Sequence, residues 1–157
     1  MAAPTIIPCP SCATKNRVRA VPSGIPRCSV CHGPLPWIVE TDPSGFDEEI
    51  TSSLPVLIDF WAPWCGPCRM VSPVVERMGH EFAGRLKVVK LNVDDAPAIA
   101  GRYGVQGIPL LLLVGDGREI DRVVGALPAE HLRALLERHL PAAGDGAGAA
   151  AADPERR

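Results

Sequence analysis

The segment Val56–Arg69, VLIDFWAPWCGPCR, restricts the fold more than any other part of the chain. It opens as a near-continuous apolar run, Val56–Trp61, the pattern of a central strand covered on both faces. It ends as the opening turn of a helix, and two thiols, Cys65 and Cys68, stand three residues apart at the junction. Cys65 falls at the helix N-terminus, where unpaired backbone N–H groups and the positive end of the dipole favour a thiolate. Cys68, one turn further in, points the same way and is near enough to close a small disulfide ring. Pro67 suits the first turn because its missing N–H would go unpaired there. A dithiol so placed can attack a disulfide and then resolve the mixed intermediate. A C-x-x-C beside a β–α unit is the redox arrangement, although a bare C-x-x-C is also half a zinc site.

Elements on either side of this segment alternate in type. Trp37–Glu40 reads as a short strand and Phe46–Ser53 as a short helix. After Cys68, the residues Met70, Val71, Val74, Val75, Met78 and Phe82 recur at helical spacing, with Pro73 expected to kink that helix. Leu86–Val93 reads as a strand, and Ala96–Tyr103 as a helix ending near Gly104. Leu110–Val114 and Glu119–Val124 flank Gly115-Asp116-Gly117, a hairpin turn. Pro128 opens a last helix with Leu132, Leu135, Leu136 and Leu140 on one face, and Pro141 ends it. Residues 142–157 are Ala, Gly and a few charges, which cannot offset the entropy of ordering; disorder is expected there.

Four further cysteines precede this body. Cys9-Pro-Ser-Cys12 and Cys28-Ser-Val-Cys31 form the paired spacing of a four-sulfur zinc site, each pair offering two thiolates from a tight turn. Gly33 fits a close knuckle after the second pair, and Arg17–Val21 alternates like one strand of a hairpin. A segment this short cannot build its own core, so one structural zinc per chain would supply the folding energy. Two disulfides are the plain alternative. Cys28-Ser-Val-Cys31-His32 also spells a c-type haem attachment site, but that would leave Cys9 and Cys12 without a task.

The active segment, together with Lys90-Leu-Asn-Val-Asp94, Tyr103-Gly-Val105, Gly107-Ile-Pro109 and Val124-Gly-Ala-Leu127, resembles the thioredoxin family over residues 44–140. The resemblance implies an α/β thioredoxin fold: a central mixed sheet flanked by helices, here behind a small N-terminal zinc ribbon. It implies that Cys65 is the nucleophile and Cys68 the resolving thiol. Asp59, an otherwise costly carboxylate in an apolar strand, would assist Cys68, with Lys90 beside it. Pro109 matches the family's cis-proline, whose loop pairs with an extended substrate. Trp64, Gly66, Pro67, Ile108, Val124, Gly125 and Ala126 would frame the docking surface, and Trp61 would pack beneath it. Arg69 and Leu110 stand where the family usually has lysine and threonine. The ribbon ahead of this domain, with Cys12-x-x-x-Asn16-Arg17-Val18, resembles the zinc-bearing bacterial subclass called thioredoxin 2. The resemblance further implies recharging by an NADPH-dependent thioredoxin reductase. Substrates would be disulfides in reductive enzymes and peroxide-defence proteins.

These patterns divide the chain into a ribbon at 1–36, a thioredoxin-like domain at 37–141 and a tail at 142–157. Pro34, Pro36 and a change of charge mark the joint. Residues 1–36 hold Lys15, Arg17, Arg19 and Arg27 and no carboxylate, within a chain of formal net charge −2. The rival reading is a basic ribbon that tethers the domain to nucleic acid or an acidic protein. No aromatic precedes Trp37, so the ribbon lacks a stacking platform for bases. With no secretory signal and no apolar run of membrane length, a cytoplasmic monomer is the expectation. Compartment and the Gly-Pro dipeptide both argue against a disulfide oxidase or isomerase.

Overall fold

A computed structural model describes residues 5–18 and 24–140. The expectations for Arg19–Val21, Pro141 and the tail lie outside the described residues. Two short strands, β1 (Thr5–Pro8) and β2 (Lys15–Val18), pair antiparallel. Five more form the main sheet: β3 (Ile38–Thr41), β4 (Val56–Trp61), β5 (Lys87–Asn92), β6 (Leu110–Gly115) and β7 (Arg118–Val124). Their order is β3-β5-β4-β6-β7, parallel across β3, β5 and β4 and antiparallel across β4, β6 and β7. The sheet is therefore mixed, with helices α1 (Phe46–Ile50), α2 (Gly66–Glu81), α3 (Pro97–Arg102) and α4 (Ala129–His139) covering it.

Strand alternation distributes the core. Val56, Ile58 and Phe60 of β4 face Phe46 of α1 and Ile99 of α3. Leu57 turns to the opposite face and packs with Val71, Val75 and Met78 of α2 and Leu132 and Leu136 of α4. Asp59 is two residues beyond Leu57, so alternation puts this carboxylate on the α2 face. Val88 of β5 and Ile38 of β3 pack on that face, and Lys90 and Glu40 follow each by two residues. Register lines the three charged residues up: Glu40 opposite Lys90, and Lys90 opposite Asp59.

Several local expectations shift in detail. Trp37 precedes the first main strand and is buried, its ring lying 4.4 Å from the Lys87 ammonium. The helix at Phe46 stops at Ile50, where Thr51 turns extended and its N–H closes on Glu48 O. Pro128 caps α4 from outside instead of starting it. Pro73 does lie within α2. The β6–β7 turn is made by Asp116 and Gly117, both with positive φ, as a two-residue hairpin favours.

The joint between the small sheet and the main one is tight. A Cβ at Gly84, whose φ is +85°, would stand 2.8 Å from Pro34 Cβ. Gly84 lies between α2 and β5, at the end where β3 and β5 begin. Cys65 follows the other end of β4, six residues and roughly 20 Å away along the strand.

Candidate active site and metal centre

Cys65 is the N-cap of α2, and Cys68 lies in its first turn with Pro67 between them. The two are joined as a disulfide with Cα atoms 5.3 Å apart. The Cys68 backbone N–H donates to Cys65 Sγ at 3.2 Å, so the helix end already directs a donor at this sulfur. Exposure does not distinguish the two thiols. Cys65 is 4% exposed and Cys68 3%, so the helix-end position of Cys65 does not leave it open to solvent. Ala62 and the partly buried Trp61 and Ile108 close around the pair. What separates them is position: Cys65 Sγ lies 3.8 Å from Ile108 O, on the loop that leads into a cis Ile108–Pro109 bond.

That loop and the start of the last segment form one surface. The Gly125 N–H donates to Pro109 O at 2.8 Å. Gly107 lies against Val124, which is 65% exposed, and Ala126 is exposed beside it. Trp64, at 67%, is held by its indole N–H to the Asp94 carboxylate at 3.0 Å. Arg69 donates to Pro63 O at 2.6 Å and pins the turn before the disulfide. An apolar cleft of about 580 Å³ runs from Trp64 and Ile108 toward α3.

On the α2 side of the sheet, Asp59 is 1% exposed, and neither carboxylate oxygen has a hydrogen-bond partner among the described residues. Burial pushes its pKa up to about 6; Lys90 draws it down, and Glu76 and Glu40 push it up. Lys90 neighbours Asp59 across the strands, but its ammonium donates to Ser72 Oγ at 2.7 Å and Glu76 Oε2 at 3.0 Å. The Trp61 indole N–H is likewise buried without a partner.

The other four cysteines converge. Cys9, Cys12, Cys28 and Cys31 bring their sulfurs within 4.8 Å of one another, with Cys9–Cys31 at 3.5 Å and Cys12–Cys28 at 3.6 Å. A tetrahedral four-sulfur metal shell with bonds of about 2.3 Å has sulfurs about 3.8 Å apart, so the cluster can hold a metal ion. The two turns are built alike. Ser11 N–H donates to Cys9 Sγ at 3.3 Å and Val30 N–H to Cys28 Sγ at 3.4 Å. Ala13 and His32, each just after the second cysteine, adopt φ of 64° and 63°. The left-handed residue of the second turn is therefore His32 and not Gly33. Gly33 serves close approach: a Cβ there would meet Cys31 Sγ and Ser11 Oγ at 3.4 Å.

Backbone N–H groups of Cys31 and Val30 lower the Cys28 thiol to about 6. Cys31 is pushed up to about 12: the Gly33 N–H lowers it, but Cys9, Cys12 and burial together outweigh that donor.

Sequence reasoning gave several supporting residues no task. Asn16 is 6% exposed and ties the two cysteine turns together, donating to Cys28 Sγ at 3.5 Å and accepting from Ser29 N–H at 2.9 Å. Asp94 anchors Trp64, and Ser72 and Glu76 hold Lys90. An isolated polar residue on an alternating strand or helix carries no sign of its partner, so only the spacing of Ser72 and Glu76 from Cys68 was there to be read.

A family model described as thioredoxin matches residues 37–138. Thioredoxin 1 of Synechococcus elongatus is 49% identical over 100 residues, covering 64% of this chain and 94% of the relative. A thioredoxin of Porphyra purpurea is 50% identical over the same shares of each chain. One from Haemophilus influenzae is 47% identical over 91 residues, 58% of this chain and 85% of the relative. With a mixed sheet, a disulfide heading α2 and about half of the aligned residues shared, the chain belongs to the thioredoxin family of thiol–disulfide oxidoreductases.

Proposed function

We propose that the chain is a cytoplasmic protein-disulfide reductase of the zinc-bearing thioredoxin 2 type, working as a monomer. The observation that carries this reading is the Cys65–Cys68 disulfide at the N-terminus of α2, with a buried carboxylate, unpartnered among the described residues, on the α2 side of the sheet. In the reduced protein Cys65 is the nucleophile, because the α2 N-terminus and the Cys68 N–H stabilise its thiolate. The thiolate attacks a substrate disulfide, one substrate sulfur leaves, and Cys65 is left in a mixed disulfide. Asp59 takes the proton of Cys68, and the Cys68 thiolate then attacks Cys65 Sγ. The Cys65–Cys68 bond forms, the substrate sulfur leaves with the electron pair and takes up a proton. The substrate is reduced and the enzyme oxidised.

The segment before Pro109 offers Ile108 O to an extended substrate strand, while Trp64, Gly66, Pro67, Val124, Gly125 and Ala126 flank it. NADPH-dependent thioredoxin reductase restores the dithiol, and reductive and peroxide-defence enzymes are the substrate class. Mixing the full chain with NADPH, thioredoxin reductase and a disulfide-bonded protein should consume NADPH in step with substrate thiols formed. No consumption, with the Cys65–Cys68 disulfide intact at the end, would refute the reading.

Residues 1–36 form the ribbon, 37–141 the catalytic domain and 142–157 an appended tail in this reading. Cys9, Cys12, Cys28 and Cys31 hold one zinc, whose bound form supplies the folding energy of the ribbon. Elemental analysis of the full chain should give one zinc, and Cys28→Ser should lose it and expose the ribbon to protease. Zinc loss should leave disulfide turnover within about twofold, because the ribbon meets the domain at Gly84, roughly 20 Å of strand from Cys65. No zinc, together with two disulfides among these four cysteines under reducing conditions, would overturn the assignment.

A further inference from the structure

Cys68, Ser72 and Glu76 are spaced by four along α2 and form one stripe on the helix. Opposite this stripe runs the row Glu40, Lys90 and Asp59 across β3, β5 and β4. The Lys90 ammonium ends on the helix stripe: it donates to Ser72 Oγ at 2.7 Å and to Glu76 Oε2 at 3.0 Å. The Ser72 hydroxyl donates in turn to Glu76 Oε2 at 3.4 Å. Both Asp59 oxygens remain without a hydrogen-bond partner among the described residues. A cleft of about 240 Å³, bounded by Cys68, Ser72, Lys90, Glu40 and Trp61, opens between the two rows. The charged groups acting on Asp59 are thus Lys90 from β5, Glu40 from β3 and Glu76 from α2; Cys68 stands on the same α2 stripe as Glu76, and β6 presents Leu111.

We propose that Ser72 and Glu76 are positioning residues for substrate release, holding the Lys90 ammonium off Asp59 so that its carboxylate is free to take the Cys68 proton. This rests on the reading of Cys68 as the resolving thiol. A lysine paired directly with Asp59 would occupy its lone pairs and stabilise the anion, leaving a weaker base. With Lys90 drawn to α2, Asp59 accepts the proton as Cys68 attacks Cys65 Sγ, and the substrate thiolate departs. The proton then passes to water in the cleft. No further oxidant or reductant enters, since the mixed disulfide supplies the electron acceptor. Glu76 is half-exposed, and the effect reaches the chemistry only through Lys90 and its own charge.

The test separates capture from release in the full-length reduced enzyme by rapid mixing with a disulfide-bonded protein across about pH 5 to 9. Glu76→Gln keeps an acceptor oxygen and removes the charge; Ser72→Ala removes the hydroxyl; Ser72→Thr restores it. Both Glu76→Gln and Ser72→Ala should move the midpoint of the release profile down by about 0.3–0.5 pH unit, a twofold to threefold change on the acid limb. Capture should be unchanged, Ser72→Thr should match the parent, and the carboxyl NMR signal of Asp59 should titrate lower by the same amount. The proposal fails if release keeps its midpoint in both variants, if capture shifts equally, or if Ser72→Thr behaves as Ser72→Ala. Asp59→Asn is the control. If it too leaves release unchanged, the role of Asp59 falls with the proposal; if it slows release while Glu76→Gln and Ser72→Ala do nothing, the proposal alone falls.

Discussion

Cys65→Ser should abolish disulfide reduction, and Cys68→Ser should perform one capture and stop. The asymmetry follows from where the two sulfurs sit on α2. Cys65 is the cap, receives the Cys68 N–H at 3.2 Å, and lies 3.8 Å from the Ile108 carbonyl. Cys68 is inside the first turn of α2, the helix on whose side of the sheet the buried Asp59 lies. Serine at 65 removes the sulfur that must bond to substrate, so turnover falls to background. Serine at 68 leaves a hydroxyl that does not attack a disulfide at neutral pH, so the adduct persists and turnover is again lost. One equivalent of substrate thiol is released per chain in the Cys68→Ser protein and none in Cys65→Ser. Because exchange conserves the total number of thiols, quenched-flow counting of the covalent adduct on non-reducing gels distinguishes them. Equal bursts from both would contradict the assignment.

Asp59→Asn should stabilise the oxidised protein at neutral pH while slowing release. The folded carboxyl has a pKa near 6 against a reference of 3.8, because burial penalises the anion. Below about pH 3 both folded and unfolded chains carry the proton, and ionisation costs the fold nothing. Between the two pKa values the folded state holds a proton that the unfolded state has lost, so stability falls as pH rises. Above about pH 6 both are ionised and the fold bears the full cost, on the order of 3 kcal/mol for a shift of about two units. Removing the charge should therefore widen the stability gap between variant and parent by roughly 3 kcal/mol from about pH 3 to about pH 7. Urea unfolding at a series of pH values reads this directly. A gap that stays flat, or narrows with rising pH, would show that Asp59 is not the buried acid described.

Much of this arrangement was legible before the structure. The apolar run Val56–Trp61 reads as a covered strand, and the 3.6-residue spacing after Cys68 reads as a helix; β4 and α2 occupy those places. Alternation along β4 even fixes which face Asp59 takes, once Leu57 is known to be core. The knuckle geometry was less legible. Ala13 and His32 carry the left-handed turns; histidine is tolerated in that region but alanine is rare there, and the surrounding hydrogen bonds hold both turns. Burial of Cys65 was not legible either, because it comes from Ile108, some forty residues on. The Lys90 contacts escaped for the same reason. A strand lysine and a helix glutamate show no kinship until the sheet places them 3.0 Å apart.

The central claim is that Cys65 alone makes the bond to substrate. Mass mapping of the covalent adduct formed by full-length Cys68→Ser with a disulfide-bonded protein tests it most directly. The account predicts a single substrate peptide linked through Cys65, with Cys9, Cys12, Cys28 and Cys31 unmodified and their zinc retained. Adducts on any of those four in place of Cys65, or a Cys65→Ser protein that traps substrate through Cys68, would contradict it.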